Sequence, residues 1–227
     1  MGKSLHSVTG EPALSSSSPE TFAQGALDSV WEEPLFPDPH ADSPYATLLR
    51  TRWARQRVAD IALTFLLCLL AAGPFAIVAA FAKGYGDGGA VWGAVLFGPL
   101  VEEFAKISVP VIILERAPWR WTRGGQLVFV CAVSGLVFAV IENLLYLNVY
   151  IGAPSPEITH WRWTICTLLH VSCSTVAGLG LRRVWSHTRQ TFARPDVSRL
   201  APCVILAIII HGAYNVFAIV FAMMGFL

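Results

Sequence analysis

Polar and apolar positions divide the chain into two regimes. Residues 1 to about 50 carry no sustained apolar period and include the stretches SSSSPE, EEPLFPDPH and ADSPY. Such a composition buries too little apolar surface to offset the entropy of ordering. The first long apolar run begins at Val58. Continuous runs then recur at roughly 58–82, 90–114, 125–150, 163–183 and 200–225. A bilayer core about 30 Å thick needs about 20 apolar residues in a helix, and each run is long enough. The runs are continuous rather than alternating, which excludes the strands of a membrane barrel. The expected fold is an all-α polytopic membrane helix bundle of about five transmembrane helices. Residues 1–56 are expected to form a disordered tail, and 57–227 the transmembrane helical domain.

Composition agrees with that pattern. Of 227 residues, 55% are apolar and 14% charged, with a mean hydropathy of +0.57, a membrane-like balance. The formal net charge is +1, which supplies no field for a nucleic-acid partner. The basic residues cluster instead. Arg50, Arg52, Arg55 and Arg57 precede the first run. Arg116, Arg120 and Arg123 follow the second, and Arg182, Arg183, Arg189, Arg194 and Arg199 stand from the end of the fourth to the start of the fifth. The opposite loops hold only Lys83 and Arg162. By the positive-inside rule the N-terminus is cytoplasmic and the C-terminus outside, in a multi-pass protein of the cytoplasmic (plasma) membrane. The N-terminus lacks the apolar segment of a signal peptide. Cys68, Cys131, Cys166, Cys173 and Cys203 lie in or beside apolar runs, and read as small buried hydrophobes rather than a disulfide framework.

Chemistry concentrates in four polar islands within the apolar runs: Glu102-Glu103, Glu142, His170 and His211. A charged group at a membrane helix centre costs roughly 2.5–3.5 kcal/mol on insertion scales, so each needs a reason to be there. Gly98-Pro99 interrupts the second run, and Pro99 suits the first turn of a restarted helix. Glu102 and Glu103 would follow in its opening turns, about 100° apart, so that one faces the bundle centre while the other pairs with Lys106. Asn143 stands beside Glu142, with Phe138 and Tyr146 on the same face. His170 has Cys166, Cys173 and Ser174 as helical neighbours, and Ser174 is a hydrogen-bond candidate. Ser172, Ser174, Ala177 and Gly178 suit close helix packing. His211 and Asn215 share a face and could serve an oxyanion. At about 1.5 Å per residue the four islands fall at similar depth, so they can share one site. Glutamate with histidine suits proton transfer or metal binding. Taken alone, the islands also suit a proton-coupled membrane transporter, or a noncatalytic membrane adaptor whose polar groups hold helices together.

The ordered patterns narrow this choice. EExxK at Glu102, Glu103 and Lys106 is followed by FxxxEN at Phe138, Glu142 and Asn143. Then come Rx7H with a later glycine (Arg162, His170 and Gly178) and HxxxN at His211 and Asn215. Together they resemble the PrsW family of intramembrane proteases. The related CAAX-type prenyl endopeptidases share the paired glutamates and late histidines, but carry EExxxR and FxxxH where this chain has EExxK and Glu142. The resemblance implies a protease-like domain that hydrolyses a peptide bond of a membrane-anchored protein within or beside the lipid bilayer. The implied catalytic set is Glu102, Glu103, Glu142, His170 and His211, with Glu102 or Glu103 activating water. Lys106, Asn143, Arg162 and Asn215 would support the substrate or the site. The family is classed with metallopeptidases, which makes a divalent metal such as zinc a candidate cofactor, with Glu142, His170 and His211 as candidate ligands.

Overall fold

The computed structural model describes residues 43–84 and 92–225, and they are helical apart from short connections. A short helix, α1 (Pro44–Ala54), leads to α2 (Val58–Gly84). A π turn at Gly93–Phe97 runs into α3 (Gly98–Arg116). A tight 3-10 turn at Pro118–Arg120 precedes α4 (Gly124–Leu145), which a π turn extends over Tyr146–Tyr150. The short α5 (Pro156–Trp161) continues through a π turn at Arg162–Cys166 into α6 (Thr167–Thr191). A 3-10 turn at Val197–Leu200 leads into α7 (Ala201–Met223).

Among the described residues, four segments are long and apolar enough to cross a membrane: Val58–Val78, Gly124–Tyr150, Pro156–Thr191 and Val197–Met223. The fifth long helix, α3, packs against α2, α4, α6 and α7. It carries Glu102, Glu103 and Lys106, all buried, which is why apolarity alone passes it over. The start of the second expected span, at 90, lies outside the described residues.

Of the expected disordered tail, residues 1–56, the described part begins at Ser43. Residues 1–42 lie outside the described residues, but Pro44–Ala54 is a helix. Its N-cap Ser43 accepts a hydrogen bond from the Ala46 amide (3.1 Å), and Ala46 and Leu49 are fully buried. The Ser-Pro pair at its start is a helix signal: a capping hydroxyl, then a ring that fits the first turn.

The α4–α6 pair is the most extensive helix contact. Leu127, Val130 and Cys131 of α4 meet Ala177, Leu181 and Val184 of α6 in one fully buried cluster. Two glycines permit the close approach. A Cβ on Gly178 would stand 2.9 Å from the Val128 Cα, and one on Gly135 would stand 2.6 Å from the His170 carbonyl. Small residues let membrane helices close on one another, where lipid supplies no hydrophobic drive. Ser174, Ala177 and Gly178 lie on this buried face as expected, whereas Ser172 is exposed. All five cysteines are free and buried. The outward faces carry large apolar residues such as Leu70, Phe104, Ile209 and Phe217, surface that is stable in lipid.

The arginine-rich segments meet at one end of the bundle. The indoles of Trp53 on α1 and Trp185 on α6 both donate to the Trp121 carbonyl, each at 3.1 Å. The Arg189 guanidinium lies 4.6 Å from the Trp53 ring centre.

Gly178→Ala is expected to lower stability by about 1–3 kcal/mol through overpacking. Gly125→Ala, where an added Cβ meets nothing within 4 Å, is expected to be neutral or slightly stabilising. Unfolding of the purified protein in mixed micelles checks both.

Candidate active site

The four polar islands converge. Glu102 and Glu103 in α3, Glu142 in the last turn of α4, His170 early in α6 and His211 midway along α7 are all buried, Glu142 being the most open at 8% exposure. Glu103 pairs with Lys106, whose Nζ donates to Glu103 Oε1 at 2.6 Å. Glu102, one residue earlier and about 100° round the helix, faces the two histidines instead.

Two ordered chains of charge run through the cluster. In the first, Lys106 leads to Glu103, and Glu103 Oε1 lies 2.8 Å from His211 Nδ1. In the second, Arg162 Nη2 donates to Glu142 Oε2 (3.2 Å), and the same oxygen lies 2.9 Å from His170 Nε2. An ionised carboxylate only accepts, so with both glutamates charged His211 carries its proton on Nδ1 and His170 on Nε2. The other nitrogens then turn toward Glu102. His211 Nε2 lies 3.6 Å and His170 Nδ1 3.9 Å from Glu102 Oε2. Lys106 Nζ also reaches His170 Nδ1 (2.8 Å) and ties the chains together. Aromatic faces screen both cations: Lys106 Nζ lies 4.6 Å from the Phe138 ring centre and Arg162 Cζ 3.7 Å from that of Tyr146.

Backbone irregularity sets these positions. Arg162 and His170 are eight residues apart, which would leave them about 80° out of phase on a regular α-helix. The wider π turn at Arg162–Cys166 reduces that offset, and both side chains meet Glu142. A second irregularity fixes α7. Pro99 has no N–H, so in the π turn at Gly93–Phe97 the Ala94 carbonyl has no donor at residue 99. Asn215 Nδ2 supplies the bond at 2.7 Å. Gly212 permits the contact, because a Cβ there would stand 2.6 Å from the Val95 carbonyl. His211 is thereby seated against Glu103.

Several expectations change in detail. Asn215 bonds the Ala94 carbonyl rather than standing ready for an oxyanion. Asn143 donates to the Arg162 carbonyl (2.9 Å) and to Thr167 Oγ1 (3.2 Å), joining α4 to the start of α6. Ser174 does not serve His170, and its buried hydroxyl has no hydrogen-bond partner among the described residues. Cys166 contacts the Tyr214 hydroxyl at 2.8 Å, outside the histidine cluster. The set with the geometry of metal ligands is Glu102, His170 and His211, whose ligand atoms lie within 4.8 Å of one another. Glu142, expected with the two histidines, lies against His170 Nε2. Sequence reasoning missed Pro99's role in docking α7; the signal was a proline in the same run as an island and an asparagine with no assigned partner.

The donor set fits a divalent ion. One carboxylate oxygen and two imidazole nitrogens suit zinc, whose ligands stand about 2.0–2.2 Å from the ion. His211 Nε2 and Glu102 Oε2 lie 3.6 Å apart, a separation that two ligands of one ion at about 2.0–2.2 Å can adopt. Each histidine is held from behind by a carboxylate, as metal-bound histidines commonly are. Lys106 now contacts His170 Nδ1, so ligation there would leave the ammonium on Glu103, its closer partner.

Membrane-crossing helices around a buried carboxylate–imidazole cluster define a multi-pass integral membrane protein with a metal-competent interior. Residues 57–227 match the family described as PrsW family intramembrane metalloprotease, and the chain belongs to that family. It is therefore a peptidase, which decides against the transporter and adaptor readings that the islands alone leave open. Comparison with curated proteins and with solved structures finds no match.

Two substitutions probe the cluster. Lys106→Met is expected to cost about 3–5 kcal/mol by leaving the buried Glu103 carboxylate without its cation, and adding Glu103→Leu should recover much of that loss. Thermal unfolding in detergent reads both. Asn215→Leu should cost about 1–3 kcal/mol by orphaning the Ala94 carbonyl. The cost should shrink in a Pro99→Ala background, where residue 99 regains its N–H, and a double-mutant cycle measures the difference.

Proposed function

We propose that this chain cleaves a peptide bond of a membrane-anchored protein at the Glu102–His170–His211 cluster. Those three side chains would hold a divalent metal, zinc being the best match to one oxygen and two nitrogen donors. When bound, such an ion polarises the scissile carbonyl and lowers the pKa of a coordinated water.

The protein's own residues would do the rest. Glu103 has one oxygen engaged by Lys106 and His211, while its buried Oε2 has no hydrogen-bond partner among the described residues. That oxygen would take the proton of the attacking water and return it to the leaving amine. Lys106 pairs with Glu103 and fixes its other oxygen. Glu142 and Arg162 hold His170 in its tautomer, and Asn215 holds α7 so that His211 faces Glu102. Asn143 supports the frame without touching the reacting atoms. Because the cluster is nearly closed to solvent, water and substrate would enter by separation of helices. The convergence of Glu102 with both histidines carries this reading.

The test uses purified protein and a single-span membrane reporter. Glu102→Gln is expected to lose both bound zinc and cleavage. Glu103→Gln should keep about one zinc per chain at saturating metal, yet cleave about 10²–10⁴-fold more slowly. Elemental analysis and product formation separate the two roles. Undiminished cleavage by either variant would overturn its assignment.

A further inference from the structure

Away from the cluster, the arginine-rich end holds a cavity of about 430 Å³ between α1, the start of α2 and the Pro118–Arg120 turn. Its size is within the range of small-molecule sites, about 300–1,000 Å³. Arg52, Arg55 and Arg120 line it, against a single carboxylate, Asp60. Among the described residues none of the three guanidiniums has a carboxylate within 4.0 Å. Arg52 lies over the Trp119 ring (5.6 Å), and the Arg120 guanidinium makes a long hydrogen bond to Thr64 Oγ1 (3.5 Å). Asp60 is turned toward the Arg57 amide, which donates to it at 3.2 Å. Gln56 Nε2, also in the lining, is buried and has no hydrogen-bond partner among the described residues. The cavity thus offers excess positive charge and an unused amide donor.

We propose that this cavity binds the phosphate of an anionic phospholipid headgroup. The chemistry, guanidinium forks and an amide donor, suits a phosphate oxyanion. The position selects a lipid as its source. The cavity reaches the first turn of α2, where Val58 begins a membrane-crossing segment and is 82% exposed. Trp119 and the partly exposed Leu48 add an apolar wall for the glycerol region. Juxtamembrane arginine clusters attract anionic lipid generally; here three of them share a concave site. A bound headgroup would bridge α1 to α2 and the turn after α3. The proposal is independent of the metal and of the catalytic assignments.

Native mass spectrometry of the full chain in detergent tests this, with dioctanoyl phosphatidylglycerol, dioctanoyl phosphatidylcholine and inorganic phosphate as probes. Wild type should retain one phosphatidylglycerol in preference to phosphatidylcholine. Arg55→Gln with Arg120→Gln should weaken that retention about tenfold, while Arg116→Gln, at the same end but outside the cavity, should not. Asp60→Asn should strengthen retention, a gain that misfolding cannot imitate. Phosphatidylglycerol should also slow hydrogen exchange across Pro44–Ala54 in wild type. Equal retention by wild type and the double variant, or an equal loss in Arg116→Gln, would overturn the site. Displacement of the lipid by equimolar inorganic phosphate would overturn the lipid as its source.

Discussion

Charges can stay inside an apolar bundle only when they are paired, and that constraint orders the whole site. Moving an ion out of water costs several kcal/mol even after relaxation. The chain meets this with two sequences of the same kind: Lys106, Glu103, His211 and Arg162, Glu142, His170. Each runs from cation to carboxylate to imidazole, and each imidazole presents its remaining nitrogen to Glu102. The cations pair with the carboxylates, the carboxylates orient the histidines, and that orientation decides which ring nitrogens meet at the centre. Because the two chains draw on four helices, the helices must pack correctly before the central arrangement exists at all.

Most of the architecture was legible because the membrane makes errors costly. Apolar runs had to be helices, and islands such as Glu142 and His211 had to be excused by partners. The adjacency of Glu102 and Glu103, with Lys106 a turn away, correctly implied that one would pair and one would face inward. What could not be read depended on rotation. Whether Glu102 or Glu142 faces both histidines turns on helix phase, and a π turn changes that phase without marking the sequence. Asn215 was legible as a polar neighbour of His211, but its partner is a carbonyl more than a hundred residues away, left open by Pro99. The helix at Pro44–Ala54 was hidden by the prolines and acids around it, although its Ser43–Pro44 start was in view.

The irregular backbone is not scattered. The π turns at Gly93–Phe97, Tyr146–Tyr150 and Arg162–Cys166 adjoin the helices that carry Glu102, Glu142 and His170. Such turns often sit at functional sites. Here they do two identifiable things: one turns Arg162 toward Glu142, and another leaves a carbonyl for Asn215. The regular stretches, α4 against α6 above all, supply rigidity through buried aliphatics and glycine contacts.

At the opposite, arginine-rich end, the Trp121 carbonyl receives two indoles at once. Its acceptor belongs to the main chain, so no change of side chain at position 121 can delete it while the loop keeps its path. The joint is vulnerable only through its donors, Trp53 and Trp185. A single oxygen therefore couples the segment ahead of the first membrane helix to the far end of α6, and a shift in either is felt by the other.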